Sequence, residues 1–262
     1  MTVGERFEKL VGIMHRLRAP GGCPWDGEQT HASIKPYLIE EAYEVLEAID
    51  AGDDGELCGE LGDLLLQVVF HAEMAAETDR FKIDDVIDAI CDKMVRRHPH
   101  VFADTQVDDA AEVLRNWSKI KQQERRAADT DASVLAGVPR AMPALLRAHR
   151  IGEKAATAGF DWSTADGVVD KLREELAELE AALAGEGVER VEAELGDLLF
   201  AATSLARHVG IRSEDALGKA TDRFEARFRV MEARLRAEGR ELSEMAEDEM
   251  EAAWQRAKAE LL

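Results

Sequence analysis

One pattern of five acids occurs twice in this chain, and no other feature constrains its fold as strongly. The first copy runs Glu40, Glu41, Glu44, then Glu60 and Asp63; the second runs Glu174, Glu175, Glu178, then Glu194 and Asp197. Each acid of the second copy stands 134 residues after its counterpart (Glu40 to Glu174), and both final acids sit in Glu-Leu-Gly-Asp-Leu-Leu. Register kept over that distance predicts one structural module built twice. Positions three and four apart share a helix face. Glu41 and Glu44 therefore point together, as do Glu60 and Asp63, with Glu40 one turn before Glu44. Two adjacent helices presenting such pairs form a cage of hard oxygen ligands suited to Mg²⁺ or Mn²⁺.

The setting of the aspartates supports a metal. Asp63 lies within 61–70 and Asp197 within 195–202, stretches apolar nearly all round a helix. An ionised carboxylate there is costly unless a cation or hydrogen bonds compensate it. A single acidic helix such as 173–180 is ordinarily a solvated face. The duplicated spacing and the embedded Asp favour metal binding over decoration.

The repeat extends beyond the acids. Met14-His15-Arg16-Leu17 leads into Pro24-Trp25-Asp26, and Ala148-His149-Arg150-Ile151 into Phe160-Asp161-Trp162. Downstream the offset shortens, so the first copy carries four extra residues near 77–81. Each module reads as a leading helix, a loop with a Trp, and three helices, the first acidic one stopping near Gly52 or Gly185. Phe7, Leu10, Val11, Met14 and Leu17 mark an amphipathic leading helix. The organisation expected is all-α: two tandem four-helix-type modules, 1–125 and 143–262, joined by a linker at 126–142. A last acidic helix is expected over 241–262, with Trp254 on its apolar side.

Composition narrows the partners. A formal net charge of −21 with 33% charged residues argues against a nucleic-acid polymer or an anionic membrane surface. It leaves room for a small anionic substrate if a metal supplies positive charge. No apolar run approaches a membrane span and no signal core opens the chain. Cys23, Cys58 and Cys91 form no CxxC pair, which points to a reducing, cytoplasmic setting.

Basic residues complete the constellation. Lys93 and Arg97 sit one turn apart, as do Arg223 and Arg227. Such pairs beside a metal cage hold phosphate oxygens, or else they are surface ion pairs. Lys171, one turn before Glu174, is a further candidate whose counterpart is Tyr37. Trp25 and Trp162 could stack on a base, or plug the end of a bundle. The acidic helices lack Glu-x-x-His, against a ferritin-like di-iron centre, and no P-loop is present.

The EExxE, spacer, ExxD pattern resembles the MazG family of all-α nucleoside triphosphate pyrophosphohydrolases. Cys23-Pro24-Trp25-Asp26, the block 93–102 and Gly159-Phe160-Asp161-Trp162 extend the likeness over essentially the whole chain. The resemblance implies hydrolysis of NTPs and dNTPs between the α- and β-phosphates, with Mg²⁺, and a homodimer whose partner helices complete the bundle. It implies that Glu41, Glu44, Glu60 and Asp63, and likewise Glu175, Glu178, Glu194 and Asp197, are metal ligands. Glu40 and Glu174 would orient or deprotonate the attacking water. Arg223 stands where the family commonly has Lys. Both copies keep all five acids; Lys171 and the resemblance favour the second as the working one. The alternative is a non-catalytic sensor or scaffold that binds Mg²⁺-nucleotide without turnover.

Overall fold

The computed structural model describes residues 1–127, 131 and 133–261. Every regular element among them is helical: α1 (Val3–Arg18), α2 (Pro24–Glu28), α3 (Lys35–Ala51), α4 (Asp54–Ala76), α5 (Ile83–Arg97), α6 (Pro99–Phe102), α7 (Ala110–Ala127), α8 (Ala144–Thr157), α9 (Ala165–Leu183), α10 (Val188–His208), α11 (Ser213–Ala237) and, after a 3₁₀ turn (Leu242–Glu244), α12 (Glu247–Glu260). Packing divides the chain into two compact units, Met1–Ala110 and Ala111–Leu262. Of the linker expected at 126–142, residues 128–130 and 132 lie outside the described residues. Its later part is tied to α8 by Lys154, whose Nζ donates to the Ala136 carbonyl at 2.9 Å. No described helix is long and apolar enough to cross a membrane.

Both units repeat one plan: a leading helix (α1 or α8), a connection, a helical hairpin (α3–α4 or α9–α10), and a following helix (α5 or α11). In the first unit Trp25 lies not in a loop but in α2, which Pro24 starts. Local chemistry makes the hairpins. Gly52 adopts φ 68°, and its N–H donates to the carbonyls of Ala48 and Ile49, closing α3. Only glycine takes that conformation without strain. Asp53 then caps α4 by accepting from the N–H groups of Gly55 and Glu56. In the second unit Gly185 and Gly187, at φ 147° and 92°, make the corresponding turn. The principal packing is α3 on α4 and α9 on α10.

The first core joins the leading helix to the hairpin. Met14, Ile34, Val69, Phe70 and Met74 are buried together, with Phe7, Leu10 and Val11 against them. This is the amphipathic face that the leading-helix spacing predicts. The second unit has a core between α11 and α12, from Met231, Leu235, Ala253 and Ala257 with Trp254 packed on it. The last helix begins at Glu247 rather than 241, because 241–246 turns through the 3₁₀ segment. Glu249 then accepts from the Ala246 N–H and sets the new start.

The two copies brace their loops with different arginines. In the first, Arg18 of α1 donates to the carbonyls of Asp26 and Gln29 and to both oxygens of Glu77. In the second, Arg207 of α10 makes a bidentate pair with Asp161. The repeat offset pairs Arg18 with Gly152 and Arg207 with Glu73. Glycine suits position 152 because a Cβ there would lie 3.1 Å from Arg207 Nε. The guanidinium has moved from the leading helix to the hairpin.

The extra residues of the first copy supply Glu77 to Arg18 and Arg80 to a histidine pair. Arg80 donates to His31 Nε2 at 2.6 Å, and His31 Nδ1 lies 2.7 Å from His71 Nδ1, the rings stacked at 5.0 Å. With Nε2 accepting, His31 carries its proton on Nδ1 and donates it to His71. Burial, and then His31, hold His71 below the ordinary histidine range. The second copy has Ala165 and Leu205 at these positions.

The guanidinium braces yield a stability test. Arg18→Ala or Arg207→Ala is expected to cost about 1–3 kcal/mol in urea unfolding at neutral pH, because each removes charge-assisted hydrogen bonds between a largely buried guanidinium and a partly solvated carboxylate. The hydrogen bonds from Arg18 and Arg207 hold Glu77 and Asp161 below the ordinary carboxylate range. A lowered folded pKa gives stability that is present above the unfolded pKa and is lost as the pH falls through the folded one. The gap between wild type and either variant should persist at about pH 5 and shrink only below about pH 4.

Candidate metal centre

Each hairpin brings three carboxylates together across its seam. Oxygens of Glu41, Glu60 and Asp63 lie within 4.8 Å of one another, as do those of Glu175, Glu194 and Asp197. The glycine turns explain the register, since the two helices of each pair run back along one another from Gly52 or Gly185–Gly187. Glu44 and Glu178 stand beside these groups: Glu44 interacts with Glu41 and Glu60, and Glu178 with Glu194. Glu40 is exposed, and Glu174 is exposed with Lys171 on it.

The buried acids are not the ones that the apolar flanks point to. Asp63 and Asp197 are exposed at the rim, whereas Glu175 and Glu194 are buried, at 5% and 1% exposure. The apolar residues around the aspartates cover the outer side of the hairpin instead, where Leu61, Leu65, Leu195 and Leu199 stay exposed.

Electrostatics make the seam cation-seeking. Burial pushes the Glu41 carboxyl above the ordinary glutamate range against a hydrogen bond from Gln67, and Asp63 and Glu44 add repulsion. Glu60 is raised by burial, then by Glu44, Asp63, Glu41 and Glu56. Glu194 is raised by burial, against the pull of Arg190, with Glu178 and Glu175 adding to the rise. Its Oε2 is buried without a hydrogen-bond partner. A buried orphan carboxylate oxygen among other carboxylates fits a hard divalent cation, and the all-oxygen donor set fits Mg²⁺ or Mn²⁺.

Lys171 and Arg190 touch the acids of the second unit. Lys171 Nζ donates to Glu174 Oε1 at 2.6 Å and pairs with Glu175 Oε1 at 2.7 Å. These bonds raise the Lys171 pKa and keep the ammonium charged. Arg190 pairs with Glu194 Oε1. Arg190 was missed in the sequence, where it reads as an ordinary i, i+4 surface pair. Its signal is the offset position, which holds Glu56 in the first copy.

The other candidates are placed as follows. Lys93 and Arg97 lie on α5, and Arg223 and Arg227 on α11, helices that pack on α4 and α10 respectively. Arg223 and Arg227 alternate with Phe224 and Phe228, and Phe224 meets the Trp254 ring at 5.0 Å. Phe224 and Phe228 share the four-residue spacing of the basic pair, whereas the contact with Trp254 arises only from the packing of α11 on α12. Trp25 is 51% exposed, edge-on to Tyr37, and Trp162 packs edge-on to His208.

Comparison with known proteins adds a family. The family model described as the MazG nucleotide pyrophosphohydrolase domain matches residues 29–102 and 163–230, the two hairpins with their following helices. The chain is 49% identical over 257 residues to a nucleoside triphosphate pyrophosphohydrolase of Escherichia coli (strain K12), covering 97% of both chains. It is 44% identical over 255 residues to the nucleoside triphosphate pyrophosphohydrolase/pyrophosphatase MazG of Thermotoga maritima, covering 97% of this chain and 96% of that one. A nucleoside triphosphate pyrophosphohydrolase of Mycolicibacterium smegmatis is 41% identical over 159 residues, covering 60% of this chain and 48% of its own.

The crowded acids predict a metal-linked stability profile. A carboxyl whose folded pKa is raised brings no penalty below its unfolded pKa and a full one above the folded value. Without metal, thermal stability should therefore fall as the pH rises from about 4 toward 7. Glu60→Gln combined with Glu194→Gln should flatten that fall, and Mg²⁺ or Mn²⁺ at neutral pH should offset it in the wild type but much less in the double variant.

Proposed function

The chain belongs to the MazG family of nucleotide pyrophosphohydrolases, and from that premise we propose how its two seams are used. The protein is a nucleoside triphosphate pyrophosphohydrolase with a nucleotide-pool house-cleaning role. The cut falls between the α- and β-phosphates, leaving a nucleoside monophosphate and pyrophosphate. The carrying observation is the convergence of Glu175, Glu194 and Asp197, with the orphaned Glu194 oxygen among them.

Mg²⁺ would be held by Glu175, Glu178, Glu194 and Asp197 in the second unit, and by Glu41, Glu44, Glu60 and Asp63 in the first. When bound, such an ion neutralises phosphate charge and lowers the pKa of a bound water. The rest falls to the chain's own groups. Lys171, charged and paired with Glu174 and Glu175, is poised to exchange those carboxylates for phosphate oxygens. That exchange releases Glu174 to orient the attacking water and take its proton, the role of Glu40 in the first unit. Arg223 and Arg227 hold polyphosphate oxygens as planar, multidentate donors, and Lys93 and Arg97 are the corresponding pair. Trp162 and Trp25, half-exposed beside the hairpins, offer faces for a base. Turnover is centred on the second unit, where Lys171 lies directly on the acids. A cytoplasmic enzyme acting on free nucleotides, not on a nucleic-acid polymer or a membrane, accords with the acidic charge.

We also read the protein as a homodimer. The outer side of each hairpin exposes an apolar stripe at helical spacing. Ile39, Tyr43 and Leu46 with Leu61, Leu65 and Val68 form it in the first unit, and Leu176 and Leu183 with Leu195 and Leu199 in the second. The part on α4 and α10 recurs at the repeat offset, Leu61 and Leu65 as Leu195 and Leu199, and such a stripe suits helices of a second copy of the chain. Leu65→Glu combined with Leu199→Glu should turn a dimer into a monomer in light scattering.

Asp197→Asn should lower pyrophosphate release roughly 100-fold or more, with helical circular dichroism unchanged. Normal turnover by the Asp63→Asn, Asp197→Asn double variant would reject the site. Binding of Mg²⁺-ATP by wild-type protein without pyrophosphate release would instead establish the non-catalytic sensor.

A further inference from the structure

The repeat makes the two seams directly comparable, and their acids match while the groups touching them do not. Glu175 is paired with Lys171, and Glu194 with Arg190. At the equivalent positions of the first copy stand Tyr37 and Glu56. There Glu41 instead accepts from the neutral Gln67 amide at 3.4 Å, and Ala201 is the counterpart of Gln67. Gln67 is 7% exposed, and its Oε1 is buried without a partner. Replacing Lys171 by Tyr and Arg190 by Glu makes the first seam more negative by three charges.

We infer that the two acid clusters bind free divalent cation unequally. The first holds it tightly by itself; the second holds it weakly until a polyphosphate draws Lys171 and Arg190 off Glu175 and Glu194. The inference rests on the reading of both clusters as metal sites. An ion entering the second seam competes with two cations already on its two buried carboxylates. An ion entering the first meets no such pair at the equivalent positions and gains the field of Glu56. Coulomb interactions over these distances are large in a half-buried site. The difference persists at physiological salt, because Glu194 and Glu175 are shielded from solvent by burial. The second unit thereby couples metal to substrate, whereas the first is a standing cation site.

Mn²⁺ binding to the full chain, followed by electron paramagnetic resonance of the free ion, tests this without an activity readout. Glu194→Gln with Asp197→Asn leaves the first site to be read, and Glu60→Gln with Asp63→Asn leaves the second. The first site should bind Mn²⁺ at least about tenfold more tightly. Adding Lys171→Tyr and Arg190→Glu to the variant that reports the second site should close most of the gap. Tyr37→Lys with Glu56→Arg, at two exposed positions, should weaken the first site by a similar factor. Equal affinities at the two sites, or charge exchanges that leave both affinities unchanged, would overturn the inference while keeping two metal sites. Full Mn²⁺ occupancy when both clusters are removed would instead overturn the reading of the clusters as metal sites, and the inference with it.

Discussion

Carboxylates forced together across the seam of a helical hairpin are the interaction around which both units are organised. A left-handed glycine ends the first helix and a cap or second glycine starts the next, so the chain has little choice of register. Once α9 lies on α10, Glu175 and Glu194 face each other out of solvent, and their repulsion must be met by something cationic. Part of the answer lies within the second unit, in Lys171 and Arg190. The first unit offers the Gln67 amide and a still more negative surround. A fold selected for stability alone would place hydrophobes at these positions, so the seam is where stability gives way to chemistry.

Around that seam the bracing is free to change. Both units tie the Trp-bearing connection between leading helix and hairpin, which in the first unit contains the short helix α2, to the helices with a buried or half-buried guanidinium. In one it is Arg18 from the leading helix; in the other it is Arg207 from the hairpin, passing over Gly152. The physical need is the same: orphan loop acceptors and a loop carboxylate must be satisfied before they are buried. Any donor that reaches them serves. The acids have no such freedom, since a metal requires several oxygens at one point rather than one contact somewhere along a loop.

Much of this was legible from spacing. The glycine stops and the apolar face of α1 follow from helix period and backbone sterics, and the structure shows them as read. Of the acid pairs, Glu60–Asp63 and Glu194–Asp197 converge on Glu41 and Glu175, with Glu44 and Glu178 beside them. Arg190 was not legible, because an Arg four residues before a Glu is indistinguishable in sequence from an exposed pair. Nor was the burial of Glu194 in place of Asp197. The leucines beside Asp197 read as surroundings for a buried acid, yet they face outward along the open side of the hairpin. The start of the last helix shifted for a local reason, the 3₁₀ turn ahead of Ala246.

The sequence by itself determined the module, its duplication and the acids each copy presents, because helix periodicity converts spacing into faces without reference to the rest of the chain. Only the tertiary structure decided which carboxylates meet, which are desolvated, and which cations touch them. Those properties depend on the contact between two helices that approach one another only after folding. The same five acids in the same register thus become two electrostatically different sites, with the difference carried by Tyr37 and Glu56 against Lys171 and Arg190.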